Sequence, residues 1–275
     1  MASSKTRQRK LERQRYERKL VRMAQQQRRK RQIQAGFGAF LALVLIGGGV
    51  AWLAGVFDPD PPEVAEPSLC TWLPRDPAEH PDKQDVGTPP DDPPTSGAKT
   101  ITIDLDAGDA GAGQVEVAMD AANDPCGAAS LEHLAAQGFY DETTCHELVA
   151  AEGALRCGDP SGTGLGGPTY SFWAENLPLP PSEEEREGEA EPPVLYPAGT
   201  VAYGDTAGEN GSQFLIFYED YAPENPIYPV IGTVTSGLDV VGGIAGAGVQ
   251  EDTTAPAEEV WVRSLTVADA TAPTQ

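Results

Sequence analysis

The pattern of apolar and polar positions divides the chain into two regimes. From Gly36 to Phe57 the sequence runs 22 residues without a charge. At about 1.5 Å per residue, a helix of that length crosses a hydrocarbon core of about 30 Å, so a transmembrane helix is predicted over 35–57. Gly47, Gly48 and Gly49 are tolerated in membrane helices, and Trp52 stands near the outer end, where interfacial aromatic residues sit. From Lys99 onward the period becomes two. Thr100 to Leu105 alternates polar with apolar, and Gln114 to Met119 repeats the pattern across a turn rich in glycine (Gly108, Gly111, Gly113). Together they predict a hairpin. Ala128 to Gly138 then places Leu131, Leu134 and Ala135 at helical spacing, with Gly138 as the C-cap. Short glycine-punctuated strands follow. The expected fold class is mainly β: a closed antiparallel barrel with about two helices, behind an N-terminal transmembrane helix.

Charge sets the orientation. Thirteen of the 19 Lys and Arg residues fall within residues 1–34, against two acids, Glu12 and Glu17. The rest of the chain holds the other six basic residues and 40 of the 42 acids. The positive-inside rule makes 1–34 a basic cytoplasmic segment and puts residues from about 58 onward outside the cell membrane, a single-pass topology. A secretory signal peptide is the competing reading, but its apolar core is shorter and its basic lead does not exceed thirty residues. The basic segment fits a helix lying on anionic lipid, or alternatively an RNA- or ribosome-binding tail. The acidic remainder excludes nucleic acid as a partner of the main domain, because phosphate contacts need clustered Lys and Arg. Its self-repulsion favours a monomer. Residues 58–98 hold eleven prolines among many acids, which predicts an extended linker. Ser68 to Leu73, with Cys70 and Trp72, interrupts that composition and predicts docking onto the body. A disordered tail is expected over 269–275.

Five blocks carry the candidate chemistry, in order along the chain. They are Gly138-Phe139-Tyr140-Asp141 with Cys145-His146; Cys157 to Gly164 (CGDPSGTG), continuing to Gly166-Gly167-Pro168; Tyr196 to Ala202 (YPAGTVA); Asn210 to Ile216 (NGSQFLI); and Gly232-Thr233-Val234 with Gly237 to Val241. The Gly-rich loop lacks the Lys and the following helix of a phosphate cradle. No His or Cys spacing points to zinc, and no G-x-S-x-G elbow points to a serine hydrolase. Neither a metal nor a cofactor is expected. Taken together, the blocks resemble the cyclophilin family of peptidyl-prolyl cis-trans isomerases, and the layout is similar to its membrane-anchored bacterial members. The resemblance implies a cyclophilin-like domain over 99–268. It implies isomerisation of proline-containing polypeptides and assistance to the folding of exported proteins. The alternative is a catalytically inactive module that binds proline-containing envelope proteins.

Prolyl isomerisation needs no covalent step. The amide barrier is about 18–20 kcal/mol, and an enzyme lowers it by binding the twisted amide better than the planar one. That takes an apolar pocket for the ring and a fixed hydrogen-bond donor. The resemblance assigns the donor to an Arg directly after the strand His. Here His146 is followed by Glu147, and an ionised carboxylate does not donate. The family's active-site Gln corresponds to Arg156. Two readings compete: a degenerate site whose ion pair contributes little, and a site in which Arg156 serves as donor, oriented by Glu147. The resemblance further implies substrate contacts from Gln213, from Leu215 in place of a Phe, from Tyr228 in place of a His, and from Tyr203 and Gly204 in place of a groove-lining Ala-Asn. Tyr203 is expected to fill the pocket. Ser182 to Glu191 is expected to be a solvated acidic loop.

The four cysteines lie on the predicted outer side, where disulfides persist, and four allow three pairings. Cys145–Cys157 is favoured because both flank one predicted hairpin. Cys70–Cys126 would then pin the linker to the body. If Cys145 faces Cys157, strict alternation separates Glu147 from Arg156, so both pairs require a break in the register.

Overall fold

The computed structural model describes residues 68–180, 194–204 and 209–270. The basic segment, the predicted transmembrane helix over 35–57, the whole acidic insertion Ser182 to Glu191 and the last five residues lie outside them. Among the described residues no helix is long and apolar enough to cross a membrane.

The predicted hairpin forms from β3 (Ala98–Asp106) and β4 (Ala112–Asp120), paired antiparallel from Ala98↔Asp120 to Asp106↔Ala112. Alternation puts Ile101, Ile103, Leu105, Val115, Val117 and Met119 on one face, each at most 1% exposed. Burial of such side chains contributes about 1.5–3 kcal/mol each. The first helix, α1 (Pro125–Ala136), begins three residues before its predicted range. Pro125 sits in its first turn, where a missing N–H costs no helical hydrogen bond. The helix ends as expected, with Gly138 left-handed at φ 65°.

Seven further strands flank the hairpin. They are β5 (Thr143–Thr144), β6 (Glu147–Val149), β7 (Ala154–Cys157), β10 (Thr200–Tyr203), β12 (Phe214–Phe217), β13 (Val230–Ser236) and β14 (Trp261–Asp269). They form one curled sheet in the order β5-β14-β3-β4-β13-β10-β12-β7-β6, antiparallel throughout. A second helix, α2 (Leu238–Ala247), follows β13. The expected closed barrel is not completed by a ladder between the edge strands among the described residues. Instead β5 and β6 are two halves of one segment, broken at Cys145-His146. One half pairs with β14 and the other with β7.

The linker is not an extended tether from Ser68 onward. Cys70 is disulfide-bonded to Cys126 of α1. Trp72 meets Tyr170 and Phe172 edge-on, with ring centroids 5.4 and 5.7 Å apart. Two short strands follow: β1 (Leu73–Pro74) pairs with β9 (Tyr170–Trp173), which also pairs with β11 (Glu209–Asn210), and β2 (Lys83–Gln84) runs parallel to β8 (Gly167–Pro168). At the other end β14 includes Asp269, which pairs with Lys99 at 3.0 Å, and the Ala270 N–H donates to the Ala98 carbonyl. The tail boundary therefore moves beyond 269.

Candidate active site

Two ladders set the site. Glu147 lies directly opposite Arg156 in β6–β7, and Arg156 lies opposite Leu215 in β7–β12. Leu215 in turn lies opposite Ala202 of β10. Directly opposed residues share a face, so Glu147, Arg156, Leu215 and Ala202 form one row across four strands. The adjoining residues Leu148, Leu155, Ile216 and Val201 face the other way, into the main core. On the outer face a smaller apolar cluster surrounds the row, with Ala154, Phe217, Tyr196 and Tyr228.

Arg156 Nε is 3.4 Å from Glu147 Oε2, and the two side chains are 22% and 27% exposed. Nε is buried and donates no hydrogen bond among the described residues. The guanidinium is thus held beside Glu147 by charge.

The expected register break is absent: Thr144↔Asp159 and Glu147↔Arg156 belong to one continuous register, and both pairs form without it. Cys145 and Cys157 are disulfide-bonded with Cα atoms 4.0 Å apart. The ladder register makes Thr144 opposite Asp159 and Glu147 opposite Arg156, so the two cysteines are diagonal neighbours, not opposed ones. Cys145 and His146 lie between β5 and β6 without shifting the register. His146 lies near Gly164, and its imidazole is held below the ordinary His value by burial, Asp159 and Glu147 opposing and Arg156 reinforcing the shift.

The apolar residues divide between the two faces. Leu215 is fully buried in the outer cluster. Tyr228, 7% exposed, donates its hydroxyl to Glu152 Oε2 at 2.9 Å, and its backbone N–H donates to the Tyr196 hydroxyl. Burial first, then Glu152, raises the Tyr228 phenol well above its ordinary value. Gly204 donates its N–H to the Gln213 carbonyl beside Leu215. Tyr203 does not fill the pocket. It pairs with Phe214, one residue out of step with Leu215, and so points into the core against Phe172. There it neighbours Asp124, whose carboxyl is pushed up to about 8 by burial and then by the charge of Glu175.

Two motifs interlock beside the row. Asp159, wholly buried, accepts hydrogen bonds from the Ser161 N–H and hydroxyl and from the Gly164 N–H. Burial pushes its carboxyl up, but these bonds outweigh it and hold the group below the usual range. Ser212 Oγ donates to the Gly158 carbonyl at 2.7 Å, and Gln213 Nε2 to the Gly164 carbonyl at 2.9 Å. Gly158 is left-handed, and a Cβ there would collide with the Ser212 carbonyl, so only glycine lets the two motifs approach. Sequence reasoning missed Glu152 and Asp124, neither of which lies within a motif.

The family described as cyclophilin-type peptidyl-prolyl cis-trans isomerase/CLD matches residues 102–267. The chain belongs to this family. The probable peptidyl-prolyl cis-trans isomerase B of Mycobacterium leprae is 36% identical over 189 residues, covering 66% of this chain and 59% of the relative. Its Mycobacterium tuberculosis counterpart is 40% identical over 148 residues, 51% of this chain and 47% of the relative. The matched region thus spans only about half the length of these curated relatives. Bacillus subtilis peptidyl-prolyl cis-trans isomerase B is 32% identical over 125 residues, 78% of its length. A Cryptosporidium parvum cyclophilin-type isomerase superposes with a TM-score of 0.51 over 63% of this chain and 99% of its own, at 19% identity, a likeness of fold alone. In this cyclophilin the charged row and the interlocked loops both fall within the matched residues.

Proposed function

We propose that this cyclophilin isomerises the peptide bond before proline in polypeptides, with Arg156 as the donor and Glu147 as its positioning residue. The observation that carries the reading is the Arg156 guanidinium, 22% exposed and held beside Glu147, in a row with Leu215. A donor so placed serves a carbonyl oxygen or ring nitrogen as the amide twists, without reorganising at the moment of rotation. The chain's mycobacterial relatives are named isomerases, which agrees with this reading. The test is a proline-peptide isomerisation assay on wild type and Arg156→Ala. The expected result is catalysis by the wild type and a loss of about 10²-fold in the variant.

One observation favours the second reading, a binding module without catalysis. Leu215 is fully buried and Tyr228 is tethered to Glu152 over the same cluster, which narrows the apolar pocket. Binding of proline peptides with no acceleration in the same assay would select it. Residues 35–57 serve, in this reading, as a single membrane anchor with the family domain outside the cytoplasm. The charge asymmetry and the two disulfides support that placement.

A further inference from the structure

Leu215 stands in the row with Arg156, yet the residue is fully buried. It shares its cluster with Ala154, Ala202, Phe217 and Tyr228. The Tyr228 ring meets Tyr196 edge-on, with centroids 5.9 Å apart, and leans against Phe217 at 6.1 Å. Tyr228 precedes β13, at one side of the row. Its hydroxyl donates at 2.9 Å to Glu152, in the turn between β6 and β7 at the other side. In the sheet order β13-β10-β12-β7-β6, that bond ties together the two ends of the strands that carry Ala202, Leu215 and Arg156. Burial and then Glu152 raise the Tyr228 phenol, and Arg156 opposes the rise, so the phenol stands within electrostatic reach of the proposed donor.

The tie resides in a side chain whose backbone is fixed independently. Ile227 and Tyr228 both donate their backbone N–H groups to the Tyr196 hydroxyl, at 3.0 and 2.9 Å. Pro229 restricts Tyr228 to extended backbone. The Pro229 carbonyl accepts from the Tyr203 N–H at 2.9 Å. Movement of the ring is therefore a change of rotamer, with no rearrangement of the sheet. Among the described residues, the bond to Glu152 is the one hydrogen bond of the Tyr228 side chain. A ring that swings out uncovers Leu215, Ala154 and Phe217, an apolar floor beside Arg156.

We propose that the Tyr228–Glu152 hydrogen bond is an autoinhibitory latch, which holds the phenol ring in the place a client's proline ring takes and releases it when a client binds. The proposal rests on the groove being a proline-peptide site. A client binds only the unlatched fraction, so its apparent affinity is reduced by that fraction. A hydrogen bond to a charged acceptor is strong enough to reduce it about tenfold.

The test is calorimetric titration of the full chain with a proline tetrapeptide, using wild type, Tyr228→Phe, Glu152→Ala and the double variant. Each single variant is expected to bind about tenfold tighter than wild type. The double variant should gain no more than either single one, because all three remove the same bond. Glu152→Gln, whose amide oxygen still accepts the hydroxyl, should gain less than Glu152→Ala. Thermal melting separates the latch from a merely structural role. The latch predicts tighter binding together with an unchanged or lower melting temperature, whereas a structural bond would weaken both. Affinity no higher than wild type in either single variant, or gains that add in the double one, would overturn the latch and leave the groove reading standing. No binding by any of these proteins would overturn the groove reading, and the latch with it.

Discussion

Glu147 and Arg156 stand opposite each other where the family resemblance implies an Arg and a Gln. The charge exchange is visible in the sequence, but its geometry is not. Alternation counted from directly opposed Cys145 and Cys157 separates the two residues, and no residue type announces that the cysteines are diagonal neighbours in an unbroken register. Tyr203 was misplaced for the related reason that one step along β10 changes its face. If Glu147 positions the guanidinium, Glu147→Gln should lower isomerisation by about tenfold, less than Arg156→Ala, because the donor remains but its charged partner is gone. Arg156→Lys should recover little, since an ammonium lacks the planar fork. Asp124 gives a prediction about stability. Its folded value of about 8 exceeds the unfolded value of about 3.9. The folded state therefore holds a proton that the unfolded state has released, and stability falls as pH rises from about 4 to about 8. Thermal melting of Asp124→Asn compared with wild type across that range should show this slope removed.

The elements were legible where periodicity speaks. The β3–β4 hairpin and α1 follow from alternation, helical spacing and a glycine cap, and the family blocks mark the interlocked loops. The docked linker was legible only at Cys70 and Trp72. Its prolines remove backbone donors and leave no apolar period, so the short pairings of β1 and β2 have no signature in the chain. What fixes them is covalent: the Cys70–Cys126 bond closes a span of 56 residues. On the loop-entropy account such a bond contributes about 4 kcal/mol, a model-dependent figure. The paired replacement Cys70→Ser/Cys126→Ser should lower stability by that order in denaturant titration. It should also open residues 68–97 to proteolysis while the rest of the domain resists.

At the scale of the whole molecule, charge divides the chain at residue 34, with a basic segment before and an acidic body after. The proposed anchor and its orientation rest on composition alone, and neither needs the fold. Alkaline carbonate extraction should leave the full chain in the membrane fraction and release a variant lacking residues 35–57. Protease added outside the cell should reach the family domain but not residues 1–34. The fold itself is the family's, and a family fold hosts an activity only where its site supports one. The most direct measurement is therefore the rate of cis-to-trans conversion of a proline peptide with wild type and with Arg156→Ala, at matched folding by circular dichroism. Acceleration by the wild type that falls about 10²-fold in the variant is the predicted result. Equal rates for the two proteins would contradict the assignment of Arg156 as the donor.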